Sequence, residues 1–263
     1  MEPKIGLALG AGSARGVAHL GVLEAFEEAG IEIDLLSGTS IGSIIAGFYA
    51  SGIDLAMAQK LAINLDWDHL NDYTVPRKGL MSGKKVKEFI ELLTKNKSFS
   101  ELEIPFAAVA TDIERGEEVI IKEGKVADAL RASMSIPGIY VPYQLKGRTL
   151  VDGAVLNRVP VQVVKNMGAD IVIAVNVTQN LVNKNVKNIF DVILNSIDIM
   201  QQEITNHKRI GADLEINPDI EHIDSRSLKQ AEECIDLGYK AAKEQISKLE
   251  KIIKRWQNEK KRD

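Results

Sequence analysis

A serine stands between two glycines in the segment GTSIG, at positions 38 to 42. A serine hydroxyl becomes a nucleophile when a nearby base takes its proton, and hydrolases often present such a serine on a sharp strand-to-helix turn. The flanking residues must then be small, and Gly38 and Gly42 meet that requirement. The same pattern is also typical of a packing turn made of small residues. Ser40 therefore needs support from other parts of the chain.

A glycine-rich segment, GAGSARG at positions 10 to 16, is the second chemical feature. Such a turn leaves backbone N–H groups free at the start of a helix, where they bind a phosphate or stabilise a reaction oxyanion. The spacing of Gly10, Gly12 and Gly16 differs from the dinucleotide-binding fingerprint, and the Gly-Lys-Ser/Thr ending of a P-loop is absent. A nucleotide site is not favoured, and an oxyanion site and a tight packing turn both stay open.

An activated serine needs a base, and the four histidines have little motif context for that role. His19 follows the glycine-rich segment by one helical turn, and packing within the helix is its favoured role. The other three are expected at the surface: His69, His207 and His222. A Ser-His-Asp triad stays open but has no support in the sequence.

Asp152 is a better candidate for the base. It ends the apolar segment RTLVD, and the small residues Gly153 and Ala154 follow it, leaving room for another element to approach closely. Asp-Gly is also a common turn pair, so a simple turn is the alternative interpretation.

Together and in this order, the segments GAGSARG, GTSIG and DGA resemble the signature of the patatin-like phospholipase family. The flanking segments GVAHLGVLEAFEEAGI and LRASMSIPGIYVP agree with this resemblance, which covers approximately residues 4 to 178. The chain is similar to the compact bacterial members of the family rather than to the large multidomain ones.

The resemblance implies a serine acyl hydrolase that works through a Ser–Asp dyad without histidine. The sequence offers no calcium-ligand cluster, so neither a metal nor a cofactor is expected. Ser40 is then the nucleophile and Asp152 the general base. The glycine-rich loop is the oxyanion hole, and its expected donors are the backbone N–H groups of Gly12, Ser13 and Arg15. The family loop is usually a run of glycines, whereas Ala11 and Ser13 interrupt it here. Backbone donors survive these side chains if φ stays negative at both positions.

The implied substrates are carboxyl esters of lipids or lipid-like molecules. A second hypothesis is a regulatory or lipid-binding protein with the same fold and negligible turnover, which the intact pair of Ser40 and Asp152 disfavours. A reductase is a third, because YKAAK places Tyr239 and Lys243 at the spacing of short-chain dehydrogenases. That pair lies too close to the C-terminus for the remaining strands of such an enzyme, and an exposed helix face is the favoured interpretation.

Composition narrows the class of protein further. The chain has 263 residues, of which 45% are hydrophobic and 27% charged, and its net charge of −4 disfavours nucleic-acid binding. A single cysteine, Cys234, and an N-terminus without signal-peptide features favour a cytoplasmic location, with peripheral contact at a membrane surface as an additional hypothesis. Residues 35 to 53 carry no charge, but their four glycines and five Ser or Thr residues favour a buried strand-turn-helix over a membrane span.

Strand-like and helix-like segments alternate along the whole chain, which predicts one α/β domain over residues 1–263, built as a three-layer sandwich around a mostly parallel central sheet. Strands are predicted at 4–10, in IDLLSG, at 105–112, 117–122 and 169–178, and at the edge in DLEINP. Helices are predicted at 16–30, 41–51, 54–65, 84–96, 125–133, 187–207 and 227–257.

Two regions carry alternative interpretations. The irregular segment 66–83 is either a lid or a long surface connection. The C-terminal segment 227–263 contains an amphipathic helix with nine Lys or Arg residues against four Asp or Glu residues from position 240 onward. Packing of its apolar stripe on the domain is favoured over attachment to anionic lipid. The stripe consists of Ile246, Leu249, Ile253 and Trp256.

Overall fold

The computed structural model describes residues 2–75, 77–178, 186, 189–207 and 211–261. Within these ranges the strands are β1 (Ile5–Leu9), β2 (Leu35–Thr39), β3 (Gly79–Met81), β4 (Phe106–Asp112), β5 (Glu117–Ile121), β6 (Gly138–Tyr140), β7 (Tyr143–Leu145), β8 (Arg148–Asp152), β9 (Ile171–Val175) and β10 (Leu214–Ile216). The α-helices in the same ranges are α1 (Ala18–Glu28), α2 (Ile41–Ala50), α3 (Leu55–Asn64), α4 (Lys84–Leu93), α5 (Val126–Ser133), α6 (Val161–Asn166), α7 (Ile189–His207) and α8 (Ala231–Lys260).

Eight of the described strands form one central sheet in the order β10-β9-β1-β2-β4-β8-β7, with β5 also paired to β4. The run from β10 to β4 is parallel throughout, and β5, β8 and β7 join it in antiparallel pairings. The predicted mostly parallel α/β sheet is therefore confirmed, and the segment DLEINP forms its edge strand β10. In a sheet of this kind the carboxyl ends of neighbouring parallel strands meet at one edge, where sites form.

The core lies on both faces of the sheet, because side chains along a strand alternate between the faces. In β1, Leu7 and Leu9 join the larger cluster, to which α1, α2, α5 and α8 contribute. Ala8 points to the other face and packs with Val161 and Val164 of α6. The sheet is thus covered by helices on both sides, in three layers.

The uncharged segment 35 to 53 forms β2, α2 and the turn between them, and nearly all of its residues are buried. None of the helices in the described ranges combines the length and the apolar character that crossing a bilayer requires.

The irregular segment 66–83 contains a short 3₁₀ helix and β3, which pairs in parallel with β6 as a separate two-stranded sheet. Three-residue strands of this kind carry little periodicity, and the sequence did not predict β3, β6 or β7. The short helix α6 was not predicted either. Whether 66–83 acts as a lid stays a prediction.

The C-terminal helix α8 packs closely on α1. A Cβ added to Gly238 would lie 2.0 Å from the carbonyl oxygen of Ala18, and one added to Gly21 would lie 1.9 Å from that of Ile235. Further along α8, Leu249 is fully buried, and Trp256 packs against the core. The apolar stripe therefore contacts the domain, as the favoured hypothesis predicts.

The YKAAK pair also belongs to this helix contact. Tyr239 Oη donates to Glu28 Oε2 at 2.6 Å, and Lys243 Nζ donates to the same oxygen at 3.0 Å. The two side chains thus tie α8 to the end of α1.

Candidate active site

Ser40 occupies a sharp turn between the end of β2 and the start of α2. Its backbone has φ 55° and ψ −125°, a conformation that side-chain-bearing residues rarely adopt and that costs about 1–3 kcal/mol. The N–H groups of Ser43 and Ile44 donate to the Ser40 carbonyl at 2.9 and 3.1 Å, which holds the turn closed. Retained strain of this kind is typical of functional sites.

Glycine is required on both sides of Ser40 because backbones meet there. A Cβ added to Gly38 would lie 2.5 Å from the carbonyl oxygen of Gly42. One added to Gly42 would lie 2.2 Å from the carbonyl oxygen of Leu9. The Gly-x-Ser-x-Gly spacing therefore reflects direct contact between β1, β2 and α2.

Asp152 reaches this turn through the pairing of β4. Because β5 pairs with β4 along residues 108–112, β2 and β8 must share the opposite edge of β4. In that edge Thr39 lies opposite Val109, and Asp152 lies opposite Ala110, the next residue. The carboxyl ends of β2 and β8 thus meet head to head, which places Ser40 beside Asp152.

The two side chains are directly hydrogen-bonded. Ser40 Oγ donates to Asp152 Oδ2 at 2.6 Å, and the backbone N–H of Ala154 donates to Asp152 Oδ1 at 2.8 Å. Ser40 and Asp152 are 7% and 4% exposed. One carboxylate oxygen is therefore held by the backbone while the other faces the serine.

Burial raises the pKa of Asp152 from 3.8 to about 6. The hydrogen bonds from Ser40 and Ala154 act in the opposite direction, as does the positive charge of Arg158. A carboxylate of ordinary acidity is a poor base for a serine hydroxyl, so the raised pKa improves the match.

Two serines that the sequence did not single out support the pair. Ser133 Oγ accepts from the backbone N–H of Ser40 at 2.9 Å and donates to the carbonyl of Val109 at 2.6 Å. The carbonyl of Ser135 accepts from the backbone N–H of Asp152 at 2.9 Å. Both belong to the segment LRASMSIPGIYVP.

The described histidines lie elsewhere or serve the fold. His19 is fully buried, its Nε2 donates to the carbonyl of Gly10 at 2.8 Å, and burial lowers its pKa to about 4. It is therefore neutral and braces the glycine-rich loop. His222 contacts Glu233 at 3.0 Å near the surface, and the side chain of His69 is 84% exposed. The His207 side chain lies outside the described residues.

The glycine-rich loop follows β1 and leads into a 3₁₀ helix over Ser13–Val17. Gly12 N and Ser13 N have no protein acceptor among the described residues, whereas Arg15 N donates to the Gly12 carbonyl at 3.2 Å. The structure therefore brings two of the three expected donors, Gly12 and Ser13, to the cavity of Ser40 with free N–H groups. Arg15 N is already engaged in the turn.

Ser13 does not keep the negative φ that the sequence argument requires, since its φ is 51°. Ser13 and Ser40 are therefore two non-glycine residues with positive φ that line the same cavity. The Arg15 side chain braces the same loop from the other side. Its Nε donates to the carbonyl of Ile223 at 2.8 Å and its Nη2 to that of Glu221 at 2.6 Å.

Cys234 is a buried thiol rather than a second nucleophile. Its Sγ donates to the Arg15 carbonyl at 3.2 Å, and burial raises its pKa to about 12. The thiol therefore stays protonated at neutral pH.

A small cavity of about 30 Å³ lies beside Ser40, Asp152 and the glycine-rich loop. Helix α7 lines part of the cavity, and its contribution was not anticipated from the sequence. The lining side chains and loops include Gly12, Ser13, Ser40, Asp152 and Arg158, together with Leu194, Ile197 and Asp198 of α7.

A second cavity, of about 50 Å³, begins at the residue after the serine and is bounded almost entirely by apolar side chains. Ile41, Ile44 and Phe48 of α2 form one wall, and α3 and α4 supply much of the rest.

Comparison with known proteins gives a consistent family. A family model described as patatin-like phospholipase matches residues 7–165. An uncharacterised NTE family protein of Mycobacterium tuberculosis is 34% identical over 177 residues, which are 66% of this chain and 49% of that protein. Patatin-like phospholipase domain-containing protein 6 of Mus musculus is 34% identical over 183 residues, which are 66% of this chain and 13% of that protein. The matched residues thus cover about half of the length of the first relative and a smaller share of the second.

Two solved structures share the fold. VipD from Legionella pneumophila superimposes with a TM-score of 0.65 at 14% identity, over 92% of this chain and 66% of VipD. The type III effector protein ExoU superimposes with a TM-score of 0.52 at 15% identity, over 94% of this chain and 53% of ExoU. At these identities the likeness concerns the fold.

Proposed function

This chain belongs to the patatin-like phospholipase family, and from that premise we propose that it is a serine acyl hydrolase acting on carboxyl esters of lipids or lipid-like molecules. The observation that carries the proposal is the 2.6 Å hydrogen bond from Ser40 Oγ to Asp152 Oδ2 on a strained, buried turn. A nucleophile in direct contact with its base is what acyl transfer requires of a dyad.

In the first half-reaction, Asp152 takes the proton of Ser40 while Oγ attacks the ester carbonyl carbon. The tetrahedral intermediate collapses when its bond to the alcohol oxygen breaks, and Asp152 returns the proton to that oxygen. An acyl-serine and a free alcohol result. In the second half-reaction, Asp152 deprotonates water, the hydroxide attacks the acyl carbon, and Ser40 leaves with its proton restored.

The negative charge that forms on the carbonyl oxygen needs donors that are already in place. The free N–H groups of Gly12 and Ser13 suit this role, since both residues line the cavity that holds Ser40. A single oxyanion donor contributes about 2.7–4 kcal/mol. Arg15 N is less suited than these two, because it already donates to Gly12.

The apolar surroundings favour a lipid-like acyl group. Leu194 and Ile197 face the Ser40 cavity, and the neighbouring apolar cavity begins at Ile41. Burial of methylene groups against such walls contributes about 0.8 kcal/mol for each group.

One observation favours the second hypothesis, a lipid-binding or regulatory protein with negligible turnover. The cavity at Ser40 has a volume of only about 30 Å³, which is small for an ester, and Leu194 and Ile197 of α7 line it. A turnover measurement separates the two hypotheses.

The test is hydrolysis of p-nitrophenyl butyrate by the wild-type chain, Ser40→Ala and Asp152→Asn. We expect both variants to lose at least about 10³-fold in kcat, since removing a member of a catalytic unit abolishes most of its effect. Ser51→Ala is the matched control, because Ser51 is a buried serine at the other end of α2 and its Oγ donates to the Gly47 carbonyl at 2.7 Å. Unchanged turnover in Ser40→Ala would overturn the mechanism.

A further inference from the structure

The backbone hydrogen bonds between β2 and β4 are interrupted at Ser40. In a pair of parallel strands these bonds are evenly spaced and recur at every second residue. Leu36 N donates to the carbonyl of Pro105 at 2.9 Å, at the start of the pairing. Two steps further along the same register, the N–H of Ser40 would donate to the carbonyl of Val109. The N–H of Ser40 donates to a side chain instead.

That side chain is Ser133, which bridges the two strands. Ser40 N donates to Ser133 Oγ at 2.9 Å, and Ser133 Oγ donates to the carbonyl of Val109 at 2.6 Å. A hydroxyl has one hydrogen and two acceptor lone pairs. Because its hydrogen is directed at Val109, a lone pair of Ser133 Oγ faces the Ser40 amide. The hydroxyl therefore stands where a direct bond between the backbones of β2 and β4 is expected.

The bridge allows the chain to leave β4 at Ser40 without losing a hydrogen bond. A direct bond to Val109 would continue β2 through Ser40, and a strand residue has a negative φ, whereas the φ of Ser40 is 55°. A turn in this buried place would leave the Ser40 N–H without an acceptor, which is unfavourable. The fully buried Ser133 supplies that acceptor.

The bridge also lies beside the residues that carry the proposed base. A Cβ added to Gly153 would lie 2.3 Å from the carbonyl oxygen of Val109, so the chain directly after Asp152 approaches the same oxygen that Ser133 contacts. Ser133 is thus placed between the end of β2, which carries Ser40, and the end of β8, which carries Asp152.

A buried arginine anchors the segment to which Ser133 belongs. Arg131 is 2% exposed, and its Nη1 donates to Ser135 Oγ at 2.5 Å while its Nε donates to the carbonyl of Gly83 at 3.0 Å. The carbonyl of Ser135 accepts from the backbone N–H of Asp152 at 2.9 Å. Residues 131–135 therefore hold the backbone of Asp152 through Ser135 and that of Ser40 through Ser133.

We propose that Ser133 is a positioning residue, whose hydroxyl replaces one backbone bond between β2 and β4 and thereby holds Ser40 Oγ against Asp152. It acts through the Ser40 amide and takes no part in the proton transfers. This inference rests on the proposed function for its effect on turnover, but the effect on the geometry of Ser40 does not depend on turnover.

The kinetic test compares Ser133→Ala with the wild-type chain in hydrolysis of p-nitrophenyl butyrate. We expect kcat to fall at least about tenfold and KM to change less than about twofold, because a displacement of about 1 Å at a reacting group costs up to about 10²-fold in rate. Ser133→Thr keeps the hydroxyl, so its kcat should lie closer to that of the wild type. An unchanged kcat in Ser133→Ala, or equal losses in both variants, would overturn the proposal.

Ser51→Ala is the matched control, since it also removes a buried hydroxyl that donates to a carbonyl, but at the far end of α2. Its kcat should match that of the wild type, and thermal melting measures how far each variant is destabilised. The same fall in kcat in Ser51→Ala and Ser133→Ala would overturn the specific role of Ser133. If Ser133→Ala does not fold, Ser133→Cys replaces it, because a thiol is similar in shape but a weak donor and acceptor.

Crystal structures of the wild-type chain and of Ser133→Ala provide a readout that needs no turnover. We expect the bridge in the wild type, and in the variant a distance of more than about 3.5 Å between Ser40 Oγ and Asp152 Oδ2, beyond hydrogen-bond reach. An unchanged Ser40 turn with its hydrogen bond to Asp152 intact would overturn the proposal.

Together the two experiments separate this proposal from the proposed function. Turnover that requires Ser40 but is equal in the wild type and Ser133→Ala overturns the role of Ser133 and leaves the acyl hydrolase intact. A displaced Ser40 in the Ser133→Ala crystal structure, with a wild-type chain that hydrolyses no ester, supports the bridge and contradicts the hydrolase.

Discussion

Ser40 Oγ donates a hydrogen bond to Asp152 Oδ2 at 2.6 Å, although 112 positions separate the two residues in the chain. The contact arises because β2 and β8 end head to head along one edge of β4. None of the described histidines stands between the two groups. The proposed chemistry of the site therefore depends on a buried carboxylate and on what burial does to its proton affinity.

The rate of ester hydrolysis should depend on pH through Asp152. Burial raises the pKa of this carboxyl to about 6, and only its ionised form can accept the Ser40 proton. We expect kcat/KM for p-nitrophenyl butyrate to rise about tenfold per pH unit below that value and to level off above about pH 7. His19→Gln is the control, because neutral His19 should not contribute to the profile. An inflection near the ordinary aspartate pKa would contradict the assignment.

Replacing Asp152 with asparagine should stabilise the fold at high pH. The pKa in the folded state, about 6, lies above the unfolded value of 3.8, so protonation favours folding. The stabilisation of the folded state by protonated Asp152 is complete below about pH 4, is lost as the pH rises through about 6, and is absent above that value. Asp152→Asn removes the ionisation, and we expect it to raise the free energy of unfolding by up to about 3 kcal/mol at pH 8 and by little at pH 4.

Urea denaturation of both proteins at the two pH values measures this difference. Comparing variant with wild type at the same pH cancels the titration of the other carboxylates. An equal change at pH 4 and pH 8, or a loss of stability at pH 8, would contradict the raised pKa.

The sequence predicts the Ser40 turn well because its constraints are local. Gly38 and Gly42 are needed because backbone segments are in contact there. Both glycines belong to one segment of five residues, so the requirement is visible in the local sequence. The long elements were predicted within a few residues for the same reason, since their apolar periodicity is continuous. By contrast, β3 and β6 were not predicted, because each has three residues and the two strands pair with each other across more than 50 positions of the chain.

Contacts between distant segments explain the rest. Nothing local in RTLVDG separates a catalytic aspartate from a turn, and the family resemblance was needed to connect Asp152 with Ser40. The contact of Ser133 with Ser40 is a hydrogen bond across 93 positions, and Arg158 and Asp198 form an ion pair across 40 positions. The expectation for Arg15 N did not include the 3₁₀ turn, which uses that N–H internally.

The strain at Ser40 should be measurable by comparing two inactive variants. Glycine adopts a φ of 55° without the steric cost that serine or alanine carries. The relief of strain in Ser40→Gly is partly offset by the larger entropy of glycine in the unfolded chain. We therefore expect Ser40→Gly to be about 1 kcal/mol more stable than Ser40→Ala in urea denaturation.

Ser51 provides the matched control for that comparison. It lies at the other end of α2 with φ −81°, a conformation that alanine adopts freely. Ser51→Gly should therefore be less stable than Ser51→Ala, which is the opposite order. The same order at both positions would show that strain does not distinguish Ser40.

Covalent labelling with a fluorophosphonate, followed by mass spectrometry of the labelled peptide, tests directly whether Ser40 is an activated nucleophile. This reagent forms a stable adduct only with an activated serine. We predict one adduct, on Ser40, in the wild-type chain, much slower labelling in Asp152→Asn, and none in Ser40→Ala. A folded wild-type chain that stays unlabelled, or one that is labelled at another residue, would contradict the assignment of Ser40 as the nucleophile.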